Sequence, residues 1–243
     1  MFHLDNDYPI RTWNPIVGCK YHCYNDGCWA SRMSKRINGM GQSDRYLEGF
    51  DRPKLISKEL EKRFNSEAIV FVTSMGDMWG DWVPDSWIKK VLETCRKNLD
   101  ATFFFETKNP LRYFNFLDVI PPKSILSSTI ETNRDYNSSG APSVEKRYLA
   151  MSRLRWNNKH ISIEPIVNFD LKIFIQWMKD IDPRIVSVGY DNYNCGLVEP
   201  SLSKTAKLIE ELREFTEVEC KTLREKIERI EEEHSQLSIK PLS

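Results

Sequence analysis

Residues 68–98 read AIVFVTSMGDMWGDWVPDSWIKKVLETCRKN. The first eight, Ala68 to Met75, are almost wholly apolar and partly β-branched, the pattern of a strand buried on both faces. Gly76 to Gly80 then breaks the run. From Asp85, an N-cap signal, the residues Trp87, Ile88, Val91 and Leu92 recur at helical spacing to Asn98. One strand, one polar loop and one helix form a β/α unit.

The unit recurs in both directions. A weak run from Ile10 to Val17, with Pro15 inside it, precedes it. After it come Ala101–Phe105, Ser124–Ile130, His160–Ile166 and Arg184–Gly189. Helices are expected over Trp29–Asn38, Pro110–Val119, Ser143–Leu154 and Leu171–Ile181. A longer one starts at Ser201, with Ile209, Leu212 and Phe215 on one stripe. Pro121-Pro122, Asn137–Pro142 and Asn192–Pro200 read as loops. Strand–helix alternation along one chain implies a parallel sheet with right-handed crossovers. Six units without a dinucleotide glycine fingerprint leave an incomplete six-unit barrel or an open doubly wound sheet. The expected fold class is α/β in either case, over residues 1–215. Residues 216–243 are a charged C-terminal extension of the same domain, helical to about His234.

The 243 residues suffice for one such domain, and 40% hydrophobic with 29% charged residues is ordinary globular composition. Formal net charge is zero, so composition offers no basic footprint for nucleic acid. No apolar run approaches the roughly 20 residues that span a bilayer. Residues 1–10 carry Asp5 and Asp7 and lack a signal-peptide core. A cytoplasmic protein without membrane association is expected.

In barrels of this type chemistry gathers where strands end. That edge is polar at every unit: Cys19, Cys23 and Cys28, then Ser74, Gly76 and Asp77, then Glu106, Thr107 and Lys108. Glu131, Thr132 and Asn133 follow, then Glu164, then Asp191 and Asn192. Turns favour Asp and Asn for structural reasons alone, but six such ends in succession point to a site.

Three of the six cysteines crowd between positions 19 and 28. Thiolates suit zinc or an iron–sulfur cluster. A closed zinc site wants four ligands, and His22 is the available fourth. Three cysteines alone suit a four-iron cluster with one iron left open. Cys95 reads as core packing, Cys195 as a free or reactive thiol, and Cys220 as incidental. Trp79 and Trp82 either stack on a planar substrate or pack beneath their loop.

Arg11-Thr12-Trp13-Asn14-Pro15-Ile16-Val17-Gly18-Cys19, then Cys23 and Cys28-Trp29-Ala30, resembles the opening of a small phage- and prokaryote-borne family of radical S-adenosylmethionine (SAM)-like proteins. That family opens with Trp-Asn-Pro, then Gly-Cys, and closes with Cys-Tyr-Ala. Thr107-Lys108, Ile130-Glu131-Thr132-Asn133 and Ser162-Ile163-Glu164-Pro165 extend the likeness, which covers about residues 9–215. The chain departs in having four residues, where the superfamily has two, between the second and third cysteines, and Trp29 for Tyr.

The resemblance implies a partial (β/α)6 TIM-like barrel and a 4Fe–4S cluster on Cys19, Cys23 and Cys28, with SAM on the open iron. SAM would be cleaved to a 5′-deoxyadenosyl radical that takes hydrogen from a substrate. By position it implies Ser74, Gly76 and Asp77 around the SAM amino group, and Glu131 and Asn133 on the ribose. Lys108 or Arg147 would pair with the SAM carboxylate; Arg147 reads equally well as a surface charge. Glu164, Asp191, Asn192 and Trp79 would face the substrate or adenosine. An electron donor such as flavodoxin or ferredoxin is implied as partner. The substrate is a nucleic-acid component or nucleoside in one reading and a peptide or small metabolite in another. A non-catalytic zinc or iron–sulfur module is the third.

Overall fold

The computed structural model describes residues 10–64 and 68–224. Its centre is a seven-stranded, all-parallel sheet in which neighbours follow chain order. The strands are β1 (Arg11–Trp13), β4 (Ile69–Val72), β5 (Thr102–Thr107), β6 (Ile125–Thr129), β7 (Lys159–Ile163), β8 (Ile185–Val188) and β9 (Glu217–Cys220). A short antiparallel pair, β2 (Ile16–Val17) and β3 (Lys54–Leu55), lies beside it. The expected first strand is therefore cut in two. Pro15 has no N–H to continue a ladder, and its carbonyl accepts from Ile56 N at 2.7 Å instead.

The helices are α1 (Cys23–Asp26), α2 (Trp29–Gly39), α3 (Asp85–Arg96), α4 (Val144–Arg153), α5 (Leu171–Ile181) and α6 (Leu202–Arg213). Ser143 and Ser201 cap α4 and α6, accepting from Lys146 N and Lys204 N, and so satisfy one otherwise orphaned amide each. At α3 the capping position is Pro84, and Asp85 sits in the first turn, where its charge suits the helix dipole.

Two expectations change. Pro110–Asn115 is a 3-10 helix rather than an α-helix reaching Val119. Tyr113 and Phe116, three apart, are both buried, and a three-residue turn brings that spacing onto one face. The tail begins as a strand, not a helix: β9 pairs with β8 along Ile185–Glu217 to Val188–Cys220. The rest of the expected tail helix lies outside the described residues.

The outer face of the sheet packs on the helices through Val70, Phe103, Phe105, Ile161, Phe174 and Leu208, all fully buried. The inner face alternates differently. Ser127 Oγ meets His160 Nδ1 at 2.7 Å, His160 Nε2 meets Ser187 Oγ at 2.9 Å, and Ser187 donates to Glu219 at 3.0 Å. This chain of hydrogen bonds crosses four strands. Burial holds His160 neutral, pushing its pKa down to about 3. Above it one cavity of about 590 Å³ is lined by Thr12 of β1 and, at the far edge, by Lys221 directly after β9. Both edges of the sheet reach one cavity, although β1 and β9 do not pair. The sheet is thus an open, partial barrel around a lumen.

Candidate functional site

The loop after β2 carries the cysteines to the C-terminal edge of the sheet. Gly18 makes this possible. Its φ is 88°, and a Cβ there would lie 2.8 Å from Phe50 O; a Cβ on Gly76 would lie 2.7 Å from Gly18 O. The two glycine backbones touch, joining the cysteine loop to the end of β4. Two further backbone bonds, Tyr24 N to Ser138 O and Gly140 N to Tyr21 O, both 2.7 Å, fasten the loop on its other side.

Cys19, Cys23 and Cys28 are free thiols and line both the central cavity and an outer one of about 430 Å³ that also meets His22. Burial pushes the Cys19 thiol up, as does Asp77, and burial pushes Cys23 to about 11. Ligation would require deprotonated sulfur, which a bound cation favours. Among the described residues no three Cys, His, Asp or Glu side chains form a preformed metal-ligand group. The donors fit an iron–sulfur cluster in kind: three thiols of one loop, facing one cavity. A fourth thiol, Cys195, lines the same cavity, and its Sγ would sit 2.3 Å from a Cβ on Gly27.

Asp77 is buried, and its carboxylate accepts from Thr107 Oγ1 at 2.8 and 2.9 Å, Lys108 N at 3.0 Å and Trp79 N at 2.9 Å. Burial outweighs these bonds and raises its pKa to about 6. Its oxygens are already engaged by the β4 and β5 ends, which it ties together. Ser74 Oγ donates to Asn14 Oδ1 at 3.2 Å, and Met75 N to the same oxygen at 2.8 Å.

Glu131 stands between two cations. Lys108 Nζ pairs with Oε1, Arg147 Nη1 donates to Oε2 at 2.7 Å, and Tyr24 OH donates to Oε1 at 2.5 Å. Burial opposes the charge, but Arg147 and then Lys108 overcome it and hold the carboxyl at about 2. Arg147 also donates to Thr129 O and Pro142 O and is 3% exposed, so it is not a surface charge. Glu131 and Arg147 face a side cavity of about 170 Å³ rather than the central one; Lys108 lines the central cavity. Asn133 lines neither; its side chain engages Asp170 N and Asp170 Oδ2.

Of the residues expected to face substrate, Glu164, Asp191 and Asn192 line the central cavity. Glu164 pairs with Lys221 at 3.2 Å, while Asp191 accepts from Tyr193 N and Cys195 N. Trp79 does not. It is fully buried against Phe105, Tyr113 and Phe116 at centroid distances of 4.7 to 5.8 Å, so the packing alternative holds for it. Trp82 packs edge-on to Tyr21 at 4.6 Å.

Sequence reasoning missed Tyr24, Thr73, Ser162 and Lys221. A signal existed for two of them. His160-x-Ser162-x-Glu164 and Glu217-x-Glu219-x-Lys221 are polar residues at strand period, pointing to one face.

No curated protein matches the chain. Among solved structures, a variant of spore photoproduct lyase with bound AdoMet and dinucleoside spore photoproduct superposes with a TM-score of 0.51 at 12% identity, covering 84% of this chain and 61% of that one. A second, single-site variant of the same lyase gives 0.51 at 14%, covering 83% and 60%. The archaeal Methanocaldococcus infernus Elp3 with an N-terminal deletion gives 0.43 at 8%, covering 97% and 65%. The chain thus spans about three fifths of the lyase's length, and what it shares with it is the fold. A family description, "Protein of unknown function (DUF5131)", matches residues 6–187, three quarters of the chain, and the chain belongs to that family.

Proposed function

We propose that the protein is a radical SAM enzyme whose cluster is held by Cys19, Cys23 and Cys28. One observation carries this reading: three free cysteines of a single loop open onto a cavity of about 590 Å³ at the C-terminal edge of a parallel sheet. The fold likeness to a lyase with bound AdoMet supports it. A 4Fe–4S cluster held by Cys19, Cys23 and Cys28 would supply one-electron chemistry to SAM when both are bound.

The chain's own residues have definite tasks. Gly18 and Gly76 let the cysteine loop approach the strand ends. The Lys108–Glu131–Arg147 triad fixes the wall beneath Tyr24 and leaves Lys108 at the cavity, where its ammonium can meet a carboxylate. Glu106, Glu164 and Asp191 outnumber Lys221 along the remaining lining, a surplus that favours a cationic sulfonium over an anion. The substrate in this reading is a nucleic-acid component, and an external one-electron donor such as flavodoxin or ferredoxin serves as partner.

Anaerobic reconstitution with iron and sulfide tests the proposal. About four irons per chain are expected, lost in a Cys19→Ala/Cys23→Ala/Cys28→Ala triple variant and kept in Cys95→Ala. With dithionite, the reconstituted protein should convert SAM to 5′-deoxyadenosine. Tight zinc retention with no iron uptake would defeat the reading.

A further inference from the structure

Among the residues that line the lumen, Tyr21, Thr73 and Glu106 each bury a polar atom that lacks a partner. Thr73 Oγ1 and Glu106 Oε1 are buried without a hydrogen bond, and both residues line the central cavity. Leaving a buried polar group unsatisfied is costly, and such groups are rare in natural proteins. Thr73 is also strained: its φ is 60°, a left-handed conformation that β-branched residues seldom adopt. Strain of this kind collects at functional sites.

The two residues are neighbours. Val72 of β4 pairs with Phe105 of β5, and Thr73 and Glu106 are the next residues along each strand. A carboxylate oxygen only accepts, while a hydroxyl can donate. Side by side they complement an edge that presents one N–H and one C=O. The walls suit a flat ring: Tyr24, Phe71 and Tyr190 line the cavity, and so do Trp29 and Tyr193, which are 41% and 42% exposed. Aromatic faces at a cavity mouth stack on planar heterocycles. The carboxylate surplus of the lumen disfavours a phosphate.

We propose that Glu106 and Thr73 read the imide-like N–H/C=O edge of a pyrimidine base, which enters the lumen between Trp29 and Tyr193 while any phosphate stays outside. This deepens the reading that the substrate is a nucleic-acid component and rests on it. Neither residue is assigned to the cluster.

The test is thymidine binding by equilibrium dialysis, on the full chain as purified and after iron–sulfur reconstitution with SAM. Saturable binding is expected, about tenfold weaker in Glu106→Leu and in Thr73→Val, each losing one hydrogen bond's worth of affinity. N3-methylthymidine should bind the natural chain about tenfold more weakly than thymidine, and Glu106→Leu should no longer distinguish the two. Absence of saturable thymidine binding in both preparations overturns the proposal, as does equal affinity of the natural chain for the two nucleosides. Iron uptake and SAM cleavage are read separately, so a protein that cleaves SAM but ignores thymidine refutes the base-reading site alone. One that binds thymidine as expected but takes up no iron refutes the radical chemistry alone.

Discussion

Glu131 shows how much a single buried charge can depend on its neighbours. It is 2% exposed, yet Lys108 and Arg147 keep it ionised, with its pKa down at about 2. Glu131→Gln would leave two cations in the wall without a counter-charge. Breaking a buried ion pair from one side typically costs about 3–5 kcal/mol, and we expect a loss of that size at pH 7 in urea unfolding. The sign with pH follows from the direction of the shift. A carboxyl whose pKa is lowered on folding contributes stability above its ordinary value of 4.5, and that contribution is lost as pH falls towards about 2. The deficit of the Gln variant should therefore shrink across that window. A deficit that stays constant from pH 5 to pH 2.5 would show that the charge is not what Glu131 supplies.

At the scale of elements, the chain announces its helices and central strands through period alone. Leu171–Ile181 has the same bounds in sequence and structure, because its apolar stripe and flanking breakers agree. β9 was illegible for the opposite reason. Glu217-Val-Glu-Cys is charged at every second position, and in isolation such a stretch near other charged residues reads as a solvated helix. Its polar side gains a partner only in the assembled sheet, where Glu219 accepts from Ser187 Oγ at 3.0 Å. The same holds for Ser162, and Tyr24 reaches Glu131 only through a positive φ of 57° that no pattern signals. That Cys19, Cys23 and Cys28 share one cavity, by contrast, follows from their closeness in the chain. The strand character of β9 can be checked with proline. Glu217 N and Lys221 N donate to Arg184 O and Val188 O of the β8 side; by alternation Glu219 N faces β8 and Val218 N faces away. Glu219→Pro should cost about 3 kcal/mol or more, and Val218→Pro about 1 kcal/mol, read from thermal melts. Equal costs would argue that this segment is not paired as a strand.

For the whole molecule, the open edge is what couples architecture to occupancy. β5, β6 and β7 have a partner on each side, whereas β1 and β9 have one. Phe103, Phe105, Leu126, Ile161 and Ile163 in the central strands are fully buried, while Glu217 at the start of β9 is exposed. Amide exchange should follow this gradient: slowest in β5–β7, where only global unfolding frees the amides, and at least about tenfold faster in β9, which can open locally. Yet Lys221 and Thr222, just past β9, line the same cavity as Thr12 of β1, so a ligand in the lumen touches both edges of the sheet. Binding that requires β9 in place stabilises it by linkage. Adding a lumen ligand should then slow exchange in β9 more than in β5–β7, raising the edge towards the centre. Uniform slowing across all seven strands would mean that the ligand stabilises the fold as a whole, and that the edge strand is no part of the wall that holds it.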